Sequence, residues 1–172
     1  AVALLDAGKY DESESAFTGL GSYGDAEEYA EKTVPYKKAL YIMDCAKNDD
    51  VAGLLALGLK RSDVAEGETV SVALYREADK LFAALGDYAD CAAQRETAQK
   101  AIADYFDEQK RDAYDAAQAL LDEGCYLKAR DAFLAMGDYK DSADMAKESM
   151  YRRAVALCDV IDKYFMEGVT AA

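Results

Sequence analysis

Tyr114-x2-Ala117-x2-Leu120-Leu121-x2-Gly124-x-Tyr126-x2-Ala129-x3-Phe133-x2-Met136-Gly137-Asp138-Tyr139-x-Asp141-Ser142 is the stretch whose reading decides the fold. Its apolar and small residues recur at steps of three and four, the spacing that gathers them on one face of a helix. Gly124 and Gly137 interrupt it, and glycine adopts the left-handed geometry of a helix C-terminus without penalty. The stretch therefore reads as the end of one helix, a complete short helix and the start of a third. A second copy is Leu4-Leu5-x2-Gly8-x-Tyr10-x2-Ser13-x3-Phe17-x2-Leu20-Gly21-x-Tyr23-x-Asp25-Ala26, and half of a third is Tyr75-x2-Ala78-x3-Phe82-x2-Leu85-Gly86-Asp87-Tyr88-x-Asp90-Cys91. The Leu/Met-Gly-x-Tyr-x-Asp closing each copy reads as a helix stop followed at once by a helix start, with Asp25 and Glu28 spaced as a capping box.

The glycine spacings carry the period. Gly8 to Gly21 and Gly124 to Gly137 each span 13 residues, while Gly21 to Gly58 spans 37 and Gly86 to Gly124 spans 38. One long arm and one short helix thus repeat about every 50 residues. The arm over 26–58 contains Pro35 and the cap-like run Asn48-Asp49-Asp50, so two or three helical pieces are expected there. The arm over 91–123 has neither Gly nor Pro and keeps a helical stripe through Ala98, Ile102, Tyr105, Gln109, Ala113, Ala117 and Leu120, which predicts one long helix. Gly58 to Gly86 spans 28 residues, an excess of 15 over the other copies. The excess falls in 60–69, as a loop or as an extension of the short helix, with Asp63 and Glu66 spaced to cap an extra turn. The last helix is expected to run to about Met166, with Gly168 ending it. The expected fold is all-α, a single helical-repeat domain over 1–172 with copies at 1–25, 26–90 and 91–141 and a terminal helix at 142–167. The opening at Ala1 lies inside a copy, as expected of a piece of a longer protein.

Composition bounds the function. A single proline and abundant Ala, Leu, Asp, Glu and Lys favour helices. The net charge of -14 disfavours nucleic acid and anionic membrane surfaces, both of which reward clustered Lys and Arg, and makes a basic partner the more compatible one. No apolar run of about 18 residues marks a membrane span. Cys45, Cys91, Cys125 and Cys158 form no Cys-x-x-Cys pair, and the chain has no histidine to complete a zinc site. They read as free thiols, which leans the compartment toward the cytoplasm, the extracytoplasmic part of an anchored bacterial protein being the alternative.

The series Ala117, Leu120-Leu121, Gly124-x-Tyr126-x2-Ala129-x3-Phe133-x2-Met136 resembles the tetratricopeptide repeat, whose small and large positions alternate in the same order. The resemblance covers Leu4 to Leu20, Tyr75 to Leu85 and Tyr114 to Met136. The Gly-Asp-Tyr-Lys-Asp-Ser junction also resembles repeats in large proteins of Gram-positive gut bacteria. That family repeats about every 34 residues and closes its units with proline, whereas Asp25, Asp90 and Asp141 stand in that place here. The resemblance implies a stack of helical hairpins, an irregular α-solenoid, that binds protein or peptide and does no chemistry.

Of the 13 tyrosines, Tyr10, Tyr75 and Tyr126 share one position of the pattern, and Tyr23, Tyr88 and Tyr139 share another, so these six are read as packing. Tyr105-Phe106 and Tyr164-Phe165 each lie in Ile-x2-Tyr-Phe-x-Glu, where two adjacent aromatics on a helix cannot both face inward. With Tyr36 and Tyr41 they are the candidate partner contacts, including contacts that form a homodimer. Acid pairs such as Asp49-Asp50 and Asp122-Glu123 lack metal-loop spacing, and neither phosphate-loop nor nucleophile-base motifs occur. No cofactor, metal or catalytic residue is expected. The reading is a non-catalytic interaction module, with a structural spacer or self-association segment as the alternative and a small-ligand domain as a remote third.

Overall fold

The computed structural model describes the backbone of residues 1–170 and the side chains of residues 1–166. Every regular element among the described residues is helical and no strand occurs among them, as the composition predicts. The chain divides into two compact units, Ala1–Tyr105 and the part from Phe106 onward. The division falls inside a helix.

The first unit holds α1 (Val2–Asp6), α2 (Tyr10–Thr18), α3 (Ala26–Glu28), α4 (Val34–Lys47), α5 (Ala52–Ala56), α6 (Val70–Leu85) and the first part of α7 (Cys91–Asp122). Leu5, Phe17, Ala26, Ala30 and Val34 form one buried cluster. Ala39, Ile42, Met43, Leu54, Leu74 and Phe82 belong to a larger one, which Cys91 and Ala98 of α7 extend. The second unit holds the rest of α7, α8 (Tyr126–Ala135) and α9 (Ser142–Thr170), around Ala117, Leu121, Ala129, Phe133 and Ala146. Phe17, Phe82 and Phe133 are all buried, so the phenylalanine of each copy is core, as its helical spacing predicts.

The two arms differ as expected. Residues Cys91–Asp122 are one helix of 32 residues, as the absence of Gly and Pro predicts. In the other arm Pro35 stands in the first turn of α4, and α3, α4 and α5 are separate pieces, as its Pro and its cap-like run predict. α3 passes through a π turn at Tyr29–Thr33 into α4, the Val34 N–H donating to the Tyr29 carbonyl five residues back. The widened turn absorbs one extra residue just where Pro35 brings no N–H of its own. Asn48-Asp49-Asp50 does close α4. Asp50 Oδ1 accepts from the Ala52 N–H at 2.9 Å, and Asp49 Oδ1 reaches across to the Ser71 N–H at the start of α6, also at 2.9 Å. α5 lies close beneath: a Cβ placed on Gly53 would come within 2.8 Å of Cys45 Cβ and 2.9 Å of a Leu74 methyl.

The extra residues are both loop and helix. α6 has 16 residues against 9 in α2 and 10 in α8, and 60–69 is a loop with one 3-10 turn. Asp63 bonds back to the Lys60 N–H at 2.7 Å and makes no capping box with Glu66. The loop is pinned by Glu68, whose carboxylate accepts both Arg76 guanidinium nitrogens at 2.7 and 2.8 Å, and by the Tyr105 hydroxyl donating to the Gly67 carbonyl at 3.3 Å. α9 runs past the expected stop, through Gly168 to Thr170; a lone glycine costs a helix only about 1 kcal/mol.

The three Gly-x-Tyr-x-Asp stretches have one backbone shape. Gly21, Gly86 and Gly137 have φ of 56°, 60° and 59°, and three residues later Gly24, Ala89 and Lys140 have φ of 57°, 50° and 49°. Tyr23, Tyr88 and Tyr139 each donate their N–H to the Leu or Met carbonyl three residues back, at 3.3, 3.3 and 3.4 Å. The Asp25–Glu28 capping box does not form. At φ -94° and ψ 17°, Asp25 is out of the extended geometry that would aim its carboxylate at the helix amides.

Candidate functional site

Two aromatic locks close the hairpins, and they account for one candidate directly. On α4 the Tyr36 ring packs edge-on to Phe82 and Tyr88, with centroids 6.1 and 5.6 Å away. Its hydroxyl donates to the Asp90 carboxylate. On α7 Tyr114 does the same, 5.5 Å from Phe133 and 6.1 Å from Tyr139, its hydroxyl donating to Asp141 at 2.6 Å. The hydrogen bond to Asp90 pushes the Tyr36 phenol up to about 12, and in return holds the Asp90 carboxyl below its ordinary value. Tyr114 is shifted up by Asp141 for the same reason. Both tyrosines lead the same arm pattern, Tyr-x2-Ala-x2-apolar-apolar: Tyr36, Ala39, Ile42, Met43 and Tyr114, Ala117, Leu120, Leu121.

The other candidates are scattered. Tyr41 lies with its ring centroid 5.7 Å from that of Tyr10. Its phenol is pushed up to about 12, first by its hydrogen bond with Cys45 and then by burial. Tyr105 is half-buried over the 60–69 loop and Phe106 beside it is exposed. Tyr164 and Phe165 are 73% and 74% exposed.

What the structure does assemble is a row on α9. Met150, Ala154, Leu157, Ile161 and Tyr164 follow each other at steps of four and three, with Tyr151, Cys158 and Phe165 beside them, and all are exposed. Glu148, Arg152, Asp159 and Lys163 occupy the opposite side of the helix. The N-terminal part of α9 is committed elsewhere, with Ser142, Ala146 and Ser149 buried in the hairpin with α8. Of this row only Tyr164 stands out in the sequence, because a four-three spacing is as common on a covered face as on an open one. The stronger signal was Tyr151-x2-Ala154-x2-Leu157-Cys158, a third instance of the arm pattern that heads both locks.

A second open place is the first junction. Tyr88 and Tyr139 are half-buried under their lock tyrosines, whereas Tyr23, at the same position, is 79% exposed. Leu20 is exposed where Leu85 and Met136 are half-buried. The packing expected of six tyrosines therefore holds for Tyr10, Tyr75, Tyr126, Tyr88 and Tyr139 and not for Tyr23, over which no arm tyrosine lies.

Among the described residues no three His, Cys, Asp or Glu side chains gather as a metal-ion site, and no helix is long and apolar enough to cross a membrane. Cys45 and Cys91 are buried, and burial pushes both thiols up; Cys158 is exposed. A depression of about 280 Å³ beside Gly124, Tyr126, Leu127 and Arg153 is open and shallow, and brings no acid-base pair together. The chain matches no protein-family model, no curated protein and no solved structure.

Proposed function

We propose that the chain is a non-catalytic scaffold module, built from copies of one tetratricopeptide-like hairpin, that binds another protein through the exposed row of α9. The row itself carries this reading: a continuous apolar face on a well-formed helix is costly to leave in water, and a face of this kind marks an interaction site. The chain's net charge of -14 favours a partner with basic residues flanking its own apolar face. The like backbone of the three junctions and the two like locks support the repeat reading.

The test is capture from a lysate of the source organism with the native chain and with Leu157→Asp and Ile161→Asp. The reading expects a defined partner that the native chain retains and both variants lose. Retention by the variants, or no partner together with no self-association, overturns it. The same face would serve a spacer that joins copies of the chain, and light scattering over a concentration range separates that alternative.

A further inference from the structure

We infer that the α9 row is an unfilled lock, and that its occupant is a short helix of the α6 and α8 kind: one with Ala-x3-Phe on its inner face, followed by a Gly-x-Tyr-x-Asp turn. This rests on the interaction reading above and names the partner's chemistry.

The template is twofold. The α3–α4 arm packs its first part on α2, through Ala26, Ala30 and Val34, and its second part on α6, through Tyr36, Ala39, Ile42 and Met43. α7 places Cys91 and Ala98 in the cluster that holds Phe82 of α6, and Ala117 and Leu121 in the cluster that holds Phe133 of α8. α9 packs its first part on α8 and carries Tyr151, Ala154, Leu157 and Cys158 at the places where the others meet their second short helix. The register agrees with that of the α3–α4 arm, though not with that of α7, where Tyr114 follows Cys91 by 23 residues. Tyr36 follows Ala26 by ten residues and Tyr151 follows Ser142 by nine, and the π turn at Tyr29–Thr33 accounts for the extra one.

The difference is occupancy. Ala39, Ile42 and Met43 are buried, as are Ala117 and Leu121, while Tyr151 is 66% and Leu157 52% exposed and Cys158 is open. An occupant would bring a phenylalanine beneath the Tyr151 ring, a tyrosine beside it and a carboxylate to take its hydroxyl. That is the arrangement Phe133, Tyr139 and Asp141 make around Tyr114. A second copy of this chain is the weaker occupant. Its open junction at Tyr23 and Asp25 has α1 beside it, and by the pattern Leu4-Leu5 already stands where Leu157 and Cys158 would go.

The probe is a peptide of residues 124–142, held helical by a hydrocarbon staple across positions 127 and 131, both exposed in α8. Its helicity is confirmed by circular dichroism before use. Added to the intact chain, it is expected to bind saturably by fluorescence anisotropy and to slow maleimide labelling of Cys158 by about tenfold or more, because Cys158 takes the buried place of Leu121. Tyr151→Ala or Leu157→Asp in the chain, or Phe133→Ala in the peptide, should each weaken binding by about tenfold. No binding by the helical peptide, or binding untouched by the α9 variants, overturns the inference. Concentration-dependent dimers lost in the same variants would overturn it in favour of a second copy. Loss of a lysate partner in Leu157→Asp alongside peptide failure would leave the interaction reading standing and sink only this occupant.

Discussion

The lock on α8 is where removing one side chain tells most. Tyr114 contributes in two separable ways: its hydroxyl donates to Asp141 at 2.6 Å, and its half-buried ring packs edge-on to Phe133 and Tyr139. A hydrogen bond to a charged acceptor nets about 1.5–3 kcal/mol when shielded, and the exposure of Asp141 brings this one down to about 1 kcal/mol. The two ring pairs contribute roughly 0.5–1.5 kcal/mol each, and half the transfer energy of a buried aromatic adds about 1 kcal/mol. Tyr114→Phe should therefore cost about 1 kcal/mol and Tyr114→Ala about 3 to 5 kcal/mol. Asp141→Ala in the Tyr114→Phe background should cost about 1 kcal/mol less than in the native chain. The assay is urea unfolding followed by circular dichroism and by tyrosine fluorescence, the chain having no tryptophan. The control is Tyr151→Ala, which removes a tyrosine at the head of the same pattern but from the exposed face and should cost less than about 0.5 kcal/mol. Equal costs for Tyr114→Ala and Tyr151→Ala, or no coupling between Tyr114 and Asp141, would refute the lock and the unfilled site inferred from it.

Gly53→Ala should destabilise by about 1–3 kcal/mol, since the new methyl would stand 2.8 Å from Cys45 Cβ and 2.9 Å from Leu74; a neutral thermal melt would show that α5 is not seated as described. Ala89→Gly should stabilise by about 0.5 kcal/mol, because φ of 50° strains alanine more than glycine's added chain freedom costs, and Gly24→Ala should do the reverse. The Tyr36–Asp90 bond sets a pH window. The Tyr36 phenol, raised from 10.0 to about 12, lends stability that is complete below pH 10 and lost as pH climbs through about 12. The Asp90 carboxyl, lowered from 3.8, lends stability present above that value and lost as pH falls through its depressed one. The stability gap between the native chain and Tyr36→Phe should accordingly be widest in between, and a gap constant from about pH 3 to about pH 11 would count against the bond.

Much of the fold was legible because its punctuation is chemical. Gly21, Gly86 and Gly137 announce left-handed turns, and the 32 residues of α7 lack any residue that would stop them. What was not legible is set by the context of whole turns. Ala89 and Lys140 adopt the same left-handed geometry as Gly24, yet neither residue type signals it. The turn as a whole dictates it. The π turn hides more deeply still, since Pro35 announces the start of α4 but nothing in Tyr29–Thr33 announces the extra residue that precedes it.

Tyr36 and Tyr151 show why a site is harder to read than a fold. Counted to the glycine that ends each arm, Tyr36 stands 22 residues before Gly58 and Tyr114 only 10 before Gly124, so in sequence the two look unrelated and Tyr36 reads as a partner contact. Counted from the start of the arm, Tyr36 matches Tyr151. The turn at Asn48-Asp49-Asp50 and the short helix α5 lie between Tyr36 and its glycine, and only the folded chain shows that they change nothing about how Tyr36 meets Phe82. The same four-residue pattern is thus packed on α4 and α7 and exposed on α9, alike in spacing and different in what lies against it. Periodicity reports which face of a helix must be covered. It carries no record of whether the cover comes from the same unit, and that is why the row of Tyr151, Ala154 and Leu157 had to be found in three dimensions.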